Sequence, residues 1–244
     1  MSVLESGFWR VACRDDGHAA GEAARVILDA FVRARERQFA VALSGGRIAP
    51  RLYAELVAQS ARRGTLLGDA EFFFADERCV PADHAEANYR VARTSLFEPL
   101  GASGAKVHRL EGELAPEVAE ARANADWQAF LVRRGRASGC LDCVVLGVGE
   151  DGHVASLFPG NMEQDLERSA AFRAVLGPKP PPQRLTMGYP LLWEARRVVI
   201  LATGAGKESV LTEAVRGGTT TPLGRVIAGR RGRETVLVTP LKVG

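Results

Sequence analysis

Cysteine is scarce in this sequence, and the few thiols form no recognisable framework. The 244 residues include four cysteines, Cys13, Cys79, Cys140 and Cys143. Scattered thiols with apolar neighbours fit a reducing compartment, since disulfide frameworks are typical of oxidising ones. Cys140 and Cys143 have CxxC spacing, but no second pair and no nearby histidine pair accompanies them. We therefore expect no zinc or redox site here, and a location in the cytoplasm.

Long hydrophobic runs are also missing. No window of about 18 apolar residues occurs, so a membrane-spanning helix is not expected. The first residues, Met-Ser-Val-Leu-Glu-Ser, lack the charged and then apolar layout of a signal peptide. The expectation is a protein without a membrane partner.

Charge of one sign does not dominate the chain. The 32 lysines and arginines are nearly balanced by 29 acidic residues, which leaves a net charge of +3. A nucleic-acid binder usually concentrates its basic residues in one stripe with interleaved aromatic side chains. The one dense basic stretch, residues 225–233, also contains glycines and is predicted to be a solvated turn. We therefore expect no nucleic-acid partner, whereas a small anionic ligand needs only two or three well-placed cations.

The rest of the composition is that of an ordinary globular protein. Hydrophobic residues at 46% and charged residues at 25% exclude disorder, collagen and coiled coil. A chain of this length can bury a core without a disulfide or metal. No shift in composition marks a boundary, so residues 1–244 are predicted to form one domain. No apolar stripe is left over, which favours a monomer.

Short apolar runs alternate with helical patterns along the chain. Strands are predicted at residues 9–14, 39–43, 71–75, 141–147, 184–187, 198–202 and 234–238. Helices are predicted at residues 19–37, 48–63, 88–100, 116–134, 206–216 and 223–228. This alternation predicts a three-layer α/β/α fold with a mostly parallel sheet. The proline-rich stretch at 177–183 is predicted to be an extended, stiff loop at a rim.

Chemistry-bearing residues cluster directly after three of the predicted strands. In open parallel sheets, ligands bind outside the carboxyl ends of the strands. The first cluster is Ser44-Gly45-Gly46-Arg47. Its glycines can turn successive backbone N–H groups toward one anion, with the Ser44 hydroxyl and the Arg47 guanidinium completing the cradle. A plain strand-to-helix turn would carry the same glycines, and the residues alone leave both readings open.

The second cluster is Asp76-Glu77-Arg78, which emerges from an apolar strand. Adjacent strand residues point to opposite faces, so at most two of the three can share a pocket. Asp76 and Arg78 are candidates to contact a substrate. A surface ion pair is the alternative.

The third cluster, residues 147–153, imitates a dinucleotide-binding motif. Gly147, Gly149 and Gly152 match GxGxxG, but too few residues separate Gly152 from Pro159 for the long helix that carries a pyrophosphate. The acidic residues about 20 positions on, Asp165 and Glu167, belong to a predicted polar loop. NAD is therefore not expected.

A second apparent motif, Gly204-Ala-Gly206-Lys207, is not a Walker A loop. A Walker A loop requires glycine five positions before the Gly-Lys pair and serine or threonine directly after it. This chain has Leu201 and Glu208 at those positions. Lys207 nevertheless opens a predicted helix beside a strand end, where it can reach an anion.

His153 is the strongest candidate for a catalytic base. It follows a buried strand in a glycine loop, two residues after Asp151, whose carboxylate could hold its tautomer. Gly152, between them, is counted with the substrate-binding residues. The other histidines, His18, His84 and His108, are expected to be structural, and no two of the four form a zinc pair. No metal and no cofactor are expected.

With these residues assembled, the chain resembles the 6-phosphogluconolactonases. Leu43-Ser-Gly-Gly-Arg-Ile-Ala-Pro50 is similar to the family's LSGGxTP loop, with Ala49 in place of Thr. The DERCVP stretch followed by Asn88-Tyr-Arg90 resembles its DERxVPxxxxxSNxR block, with Ala87 in place of the usual Ser.

Three further motifs extend the resemblance over nearly the whole chain. Residues 146–160, LGVGEDGHVASLFPG, match the family signature almost throughout. PPQRLT at 181–186 resembles its PPxRIT segment, and the Gly-Ala-Gly-Lys207 helix start matches as well.

The resemblance implies a Rossmann-like sheet shared with glucosamine-6-phosphate deaminases. It also implies hydrolysis of 6-phosphogluconolactone to 6-phosphogluconate, the second step of the oxidative pentose phosphate pathway. The residues that it implies for the phosphate are Ser44, Gly45, Gly46, Arg184 and Lys207. Arg78 and Asn88 are implied around the sugar.

The physical chemistry agrees with that reaction. An anchored phosphate would present C1 of the lactone to His153, whose imidazole draws a proton from the attacking water. Amides of the glycine loop or the Arg78 guanidinium could stabilise the growing negative charge on the carbonyl oxygen. A lactone is a reactive ester, so no metal is required to polarise it.

Two other functions compete. An amino-sugar-phosphate deaminase would resemble DEY and DGHxAFNEP at these points, but this chain has Arg78 and the apolar pair Leu157-Phe158 there. A sugar-phosphate sensor that controls DNA binding should carry a helix-turn-helix segment. The α/β pattern begins near Trp9 and runs to the last strand, which leaves no room for one.

Overall fold

The computed structural model describes residues 2–5, 7–34, 39–135, 140–161, 170–230 and 232–244. Its centre is an eight-stranded sheet in the order β1-β2-β11-β10-β7-β3-β4-β6. The strands are β1 Ser2–Glu5, β2 Phe8–Ala12, β3 Ala40–Leu43, β4 Glu71–Phe74, β6 Val107–His108, β7 Cys143–Gly147, β10 Arg197–Leu201 and β11 Glu234–Thr239. All neighbouring pairs are parallel except β1 with β2. The predicted α/β class is therefore confirmed.

A smaller antiparallel sheet lies beside the main one. It contains β5 Asp76–Arg78, β8 Phe172–Leu176 and β9 Gln183–Met187, in the order β5-β9-β8. β5 follows β4 after a single residue, so the chain passes directly from the main sheet into the small one. This step places the Asp-Glu-Arg cluster on a strand, where the sequence predicts only a strand end.

The helices begin and end at residues with suitable backbone chemistry. They are α1 Asp16–Arg33, α2 Ala49–Arg63, α3 Asn88–Ala92, α4 Glu98–Leu100, α5 Pro116–Arg133, α6 Tyr189–Glu194, α7 Glu208–Val215 and α8 Pro222–Gly229. The Asp15 side chain caps α1 by accepting a hydrogen bond from the His18 amide. The left-handed conformation of Gly64 ends α2. The helices α2, α5 and α8 each have a proline in the first turn. The backbone N–H that proline lacks would have no partner within the helix at this position, so no helical hydrogen bond is lost.

The core sits on both sides of the central strands. Every residue of β3 is buried, as are the first four of β7, because helices cover both faces of a parallel sheet. These continuous apolar runs are the signal by which the sequence predicts the two strands. They hold the loops after β3 and β7 at fixed positions on one edge of the sheet.

The structure differs from the sequence prediction in three respects. The helix predicted over 88–100 is interrupted by a wider turn at Arg93–Phe97 before α4, since Pro99 has no N–H to continue an α-helical ladder. The short strands β1, β5, β6 and β8 and the helix α6 are absent from the sequence prediction. The end of the first predicted helix, residues 35–37, lies outside the described residues. The third difference concerns the basic stretch at residues 225–233.

The prediction of a solvated turn at 225–233 is wrong for Arg230. Its side chain is 1% exposed and donates to the carbonyl oxygens of Leu192 at 2.6 Å, Trp193 at 3.0 Å and Ala195 at 2.8 Å. Burial lowers the pKa of Arg230 to about 10. This arginine fastens α6 to the end of α8, and carbonyl partners more than 30 residues away leave no trace in the local sequence.

Within the described segments, none of the helices has the length and apolar character needed to cross a membrane.

Candidate functional site

The three predicted clusters meet at one edge of the sheet. Residues from all three line a cavity of about 1000 Å³, and a smaller cavity of about 120 Å³ shares part of its wall. The wall shared by the two cavities includes Gly45, Gly46, Arg78, His153 and Arg184. The strand-end rule therefore predicted correctly that these three segments come together.

The Ser44–Arg47 turn is shaped by close packing. A Cβ on Gly45 would lie 1.8 Å from Asn88 Oδ1, and Gly46 has a φ of +98°, so both positions require glycine. Ser44 Oγ donates to the Val145 carbonyl at 2.8 Å. The serine hydroxyl thus holds β3 to β7, while the backbone of the two glycines faces the cavities.

β5 presents alternate side chains to opposite sides. Asp76 and Arg78 line the smaller cavity, whereas Glu77 is 2% exposed and points into the protein. Its carboxylate accepts the backbone N–H groups of Arg78, Asn88 and Tyr89, each at 2.8 Å. Burial raises the pKa of Glu77 to about 7 although these three hydrogen bonds oppose the shift. Glu77 fixes the first turn of α3, a role that sequence reasoning missed.

Asp76 connects three parts of the site. Its Oδ2 accepts Ser156 Oγ–H at 2.7 Å, and Asn88 Nδ2 donates to its carbonyl oxygen at 2.9 Å and to Oδ1 at 3.3 Å. The Ser156 amide in turn donates to Thr186 Oγ1 at 3.1 Å. Asp76 therefore ties β5 to the histidine loop and to α3. Neither Ser156 nor Thr186 was predicted, because the partners are separated from each other by 30 to 80 residues.

His153 and Asp151 form a direct hydrogen bond, which their spacing in the sequence could not establish. His153 Nδ1 lies 2.6 Å from Asp151 Oδ1, and the imidazole is about one-third exposed in the cavity wall. Partial burial opposes ionisation of Asp151, but the hydrogen bonds and charge of His153 hold its pKa below the usual value. An ionised carboxylate on Nδ1 fixes the tautomer and leaves Nε2 as the ring nitrogen available for proton transfer.

Glycine is required around this pair. A Cβ on Gly149 would lie 2.0 Å from His153 Nδ1, so any side chain there would displace the imidazole. Gly152 has a φ of +78°, and its would-be Cβ meets the Thr221 side chain at 2.7 Å. The Gly152 carbonyl accepts the Leu223 amide at 3.0 Å. The structure therefore places Gly152 against the start of α8, and its part in binding substrate stays a prediction.

Two arginines are neighbours across β5 and β9. Arg78 and Arg184 face each other in register, and Arg184 is 8% exposed. Its guanidinium donates to the carbonyls of Lys179 and Pro181, both at 3.2 Å. Burial, followed by the charge of Arg78, lowers the pKa of Arg184. Two adjacent cations in a cavity wall favour an anionic ligand.

A second pair of cations lines the larger cavity. Lys207 Nζ donates to the Thr203 carbonyl, and a Cβ on the intervening Gly204 would lie 3.7 Å from an Arg47 nitrogen. Burial lowers the pKa of Lys207, and the Arg47 charge lowers it further. Arg47 and Lys207 therefore share one part of the cavity with the glycine turn.

Other sequence predictions concern residues away from this cavity. His18 Nδ1 accepts the Arg14 amide, His84 Nδ1 accepts the Glu86 amide, and His108 lies between Glu71 and Asp126, so all three have structural contacts. The four cysteines are free thiols. In the described part of the chain, no three His, Cys, Asp or Glu side chains are grouped to hold a metal ion. Asp165 and Glu167 lie outside the described residues.

Fold and site together define a class of protein. It is a Rossmann-like α/β protein whose strand-end cavity combines an imidazole–carboxylate pair with arginine and lysine side chains suited to a small anionic ligand. The chain belongs to the glucosamine-6-phosphate isomerase and 6-phosphogluconolactonase family, whose model matches residues 14–237.

Individual relatives agree with this assignment. The 6-phosphogluconolactonase of Homo sapiens is 42% identical over 177 residues, which cover 71% of this chain and 67% of the human protein. The structure of 6-phosphogluconolactonase from Thermotoga maritima aligns with a TM-score of 0.78 at 25% identity, covering 95% of this chain and 98% of that one. A monomeric glucosamine-6-phosphate deaminase aligns with the same TM-score at 16% identity, over 95% and 97% of the two chains, which shows the shared fold alone. The resemblance stated from the sequence is confirmed.

Proposed function

We propose that this protein hydrolyses 6-phospho-D-glucono-1,5-lactone to 6-phospho-D-gluconate, as a 6-phosphogluconolactonase of the oxidative pentose phosphate pathway. The observation that carries the proposal is the 2.6 Å His153–Asp151 hydrogen bond in the wall of a cavity that also holds Arg47, Arg184 and Lys207. The curated relatives named 6-phosphogluconolactonase support the same activity.

Binding begins at the phosphate. Arg184 and Lys207, with the amides of Gly45 and Gly46 and the Arg47 side chain, supply the cations and donors of the cavity. Charge-assisted hydrogen bonds to a phosphate are stronger than neutral ones. Holding the far end of the sugar restricts the motion of the lactone ring, which makes attack at C1 effectively intramolecular.

His153 then acts as the general base. Nε2 takes a proton from water as the water oxygen bonds to C1, and Asp151 stabilises the imidazolium that forms. The carbonyl oxygen gains negative charge, and Arg78 or the glycine amides donate to it. When the tetrahedral intermediate collapses, the bond between C1 and the ring oxygen breaks. The imidazolium returns its proton to that oxygen, so His153 ends as it began.

The reaction as proposed requires no metal ion. The ring ester is already activated, and arginine donors take the place that a Lewis acid would fill. Activity should therefore be unchanged after dialysis against a chelator, and a loss that an added divalent cation restores would contradict this part of the proposal.

Asp76, Asn88 and Ser44 line the smaller cavity, and their side chains are held by hydrogen bonds within the protein. Asp76 is bonded to Ser156 and Asn88, and Asn88 fills the space that Gly45 leaves. We propose that these side chains hold the glycine turn and the histidine loop in place, and that contact with the sugar comes from Arg78.

Four further expectations accompany the proposal. The eight-stranded sheet contains strands from both ends of the chain, which supports one lactonase domain over residues 1–244. We also propose a monomer in the cytoplasm whose only partner is its small-molecule substrate. Light scattering measures the mass in solution, and a stable oligomer would contradict the monomer.

The direct experiment uses freshly generated 6-phosphogluconolactone. Acid release in the presence of the protein is compared with the spontaneous rate at the same pH, and the proposal predicts clear acceleration. A parallel reaction with glucosamine 6-phosphate is assayed for ammonia. Ammonia release without lactone hydrolysis would replace the proposal with a deaminase, and acceleration of neither reaction would reject both.

A further inference from the structure

Building on the proposed function, we propose that Phe158 is a positioning residue that holds the imidazole of His153 and the guanidinium of Arg184 in a fixed relation. One aromatic ring would thereby join the part of the site that activates water to the part that binds an anion.

Phe158 contacts both groups. Its ring centroid lies 5.0 Å from the imidazole centroid, with the two planes inclined by 46°. The Arg184 Cζ atom lies 5.7 Å from the same ring centroid, which is within the range of a cation–π contact. The side chain is 6% exposed and lines the larger cavity beside both partners.

The contact with Phe158 restrains a rotation of the His153 imidazole that its hydrogen bond to Asp151 still allows. Asp151 holds only Nδ1 of the imidazole, so the ring can still pivot about that hydrogen bond. A neighbouring aromatic ring that is itself buried limits this rotation and keeps Nε2 at one position. A base displaced by about 1 Å can lose roughly 10²-fold in rate.

Arg184 depends on the same ring. Its donors reach the carbonyls of Lys179 and Pro181, whereas the described carboxylates Asp76 and Glu86 act on it only through their charge and form no ion pair with it. Carbonyls on one side and the Phe158 ring on another therefore hold the guanidinium, while its charge stays available to a ligand. An arginine already held by a carboxylate would offer less to a phosphate.

Gly177 completes the arrangement. A Cβ at this position would lie 2.9 Å from Arg184 Nε and 3.1 Å from two atoms of the Phe158 ring. The absence of a side chain lets the start of the proline-rich loop press on both groups together. The loop, the ring and the guanidinium are thus packed as one unit, which supports positioning by contact.

The test compares Phe158→Met with Phe130→Met. Methionine keeps most of the apolar volume but removes the rigid ring. Phe130, on α5, is similarly buried, 1% exposed, and packs against Phe73 of β4 and Trp127 of α5. We expect Phe158→Met to lower kcat and raise KM, for a combined loss of roughly 10- to 100-fold in kcat/KM. Phe130→Met should lose thermal stability with unchanged kinetic constants.

Binding of inorganic phosphate, measured by calorimetry, reports on Arg184 without requiring catalysis. Weaker phosphate binding together with a lower kcat in Phe158→Met supports the proposal. A folded variant in which kcat or phosphate affinity stays at the wild-type value overturns it, because one ring would then not serve both groups. If Phe158→Met does not fold, Phe158→Leu is measured in the same way.

The same measurements separate this inference from the proposed function. A wild-type protein that does not hydrolyse the lactone removes the proposed function. Phosphate affinity that is equal in wild type and in Phe158→Met removes the positioning of Arg184 even when the lactone is hydrolysed normally.

Discussion

At the scale of single residues, the proposed reaction depends on one short hydrogen bond. Asp151 accepts Nδ1–H of His153 and carries a lowered pKa, so it stays ionised at neutral pH. In the proposed reaction, its charge stabilises the imidazolium that proton transfer creates, and its position selects the tautomer. Loss of the charge should therefore affect the rate more than the binding of substrate.

Asp151→Asn tests this contribution. The amide keeps the shape of the side chain but removes the negative charge, and we expect kcat to fall roughly 10²-fold with little change in KM. Asp69→Asn is the matched control, because Asp69 pairs with Lys106 on the surface. Equal initial rates for Asp151→Asn and wild type would show that the carboxylate has no part in catalysis.

Gly149→Ala tests the space beside the imidazole. The new methyl group would lie 2.0 Å from His153 Nδ1 and 2.6 Å from Asp151 Oδ1, so the pair must move apart. We expect kcat to fall by roughly tenfold or more. Gly104→Ala, where nothing lies within 4 Å of the added atom, should behave as wild type. Normal kinetics for Gly149→Ala would mean that the His153–Asp151 geometry is not needed.

At the scale of elements, the junction of β5 and α3 carries the site. Glu77 holds this junction through three backbone N–H groups, while Asp76 on the opposite face holds the histidine loop through Ser156. The sequence showed that Asp76, Glu77 and Arg78 could not all face one pocket, because strand residues alternate. It could not show which partners they have, because those partners come from α3 and from a loop 80 residues away.

Glu77 should make the stability of the protein depend on pH. Its pKa is about 7 in the folded protein against an ordinary value of 4.5, so between these values the native state binds more protons than the unfolded state. The contribution of Glu77 to stability is thus fully present below about pH 4.5 and is lost as pH rises through 7, at up to about 1.4 kcal/mol per pH unit.

Glu77→Gln should flatten this part of the profile. The measurement is urea unfolding from pH 4.5 to 8 for wild type, Glu77→Gln and the control Glu117→Gln, whose side chain is exposed in the first turn of α5. The glutamine variant should also be less stable at pH 5, since one of its side-chain atoms can no longer accept an N–H group. Parallel profiles for all three proteins would contradict the assignment.

At the scale of the whole molecule, the parallel sheet explains why three distant segments form one site. Strands β3 and β7 are neighbours in the sheet and β4 lies next to β3, so their carboxyl ends meet at one edge. The sequence predicted this arrangement because the buried strands are continuous apolar runs. It missed β5, β6 and β8, because β5 and β6 have only three and two residues and the pairing of all three strands depends on tertiary contacts.

The candidate site also combines residues that the local sequence predicts with residues whose positions depend on tertiary contacts. His153, Asp151 and the glycine turn could be predicted because each follows a recognisable strand. The positions of Phe158 and Glu77 could not, because burial and long-range packing determine them. The packing of Gly152 against α8 could not be predicted either, because its partners Thr221 and Leu223 are about 70 residues away.

The central claim is that the imidazole at position 153 activates water for attack on the lactone. Its most direct test is the steady-state hydrolysis of freshly prepared 6-phosphogluconolactone by wild type and His153→Ala, at matched concentrations of folded protein. We expect the kcat of His153→Ala to be roughly 10²- to 10⁴-fold lower than that of wild type. KM should change little, because the cations that bind the phosphate remain. If His153→Ala retains the wild-type kcat, His153 is not the general base.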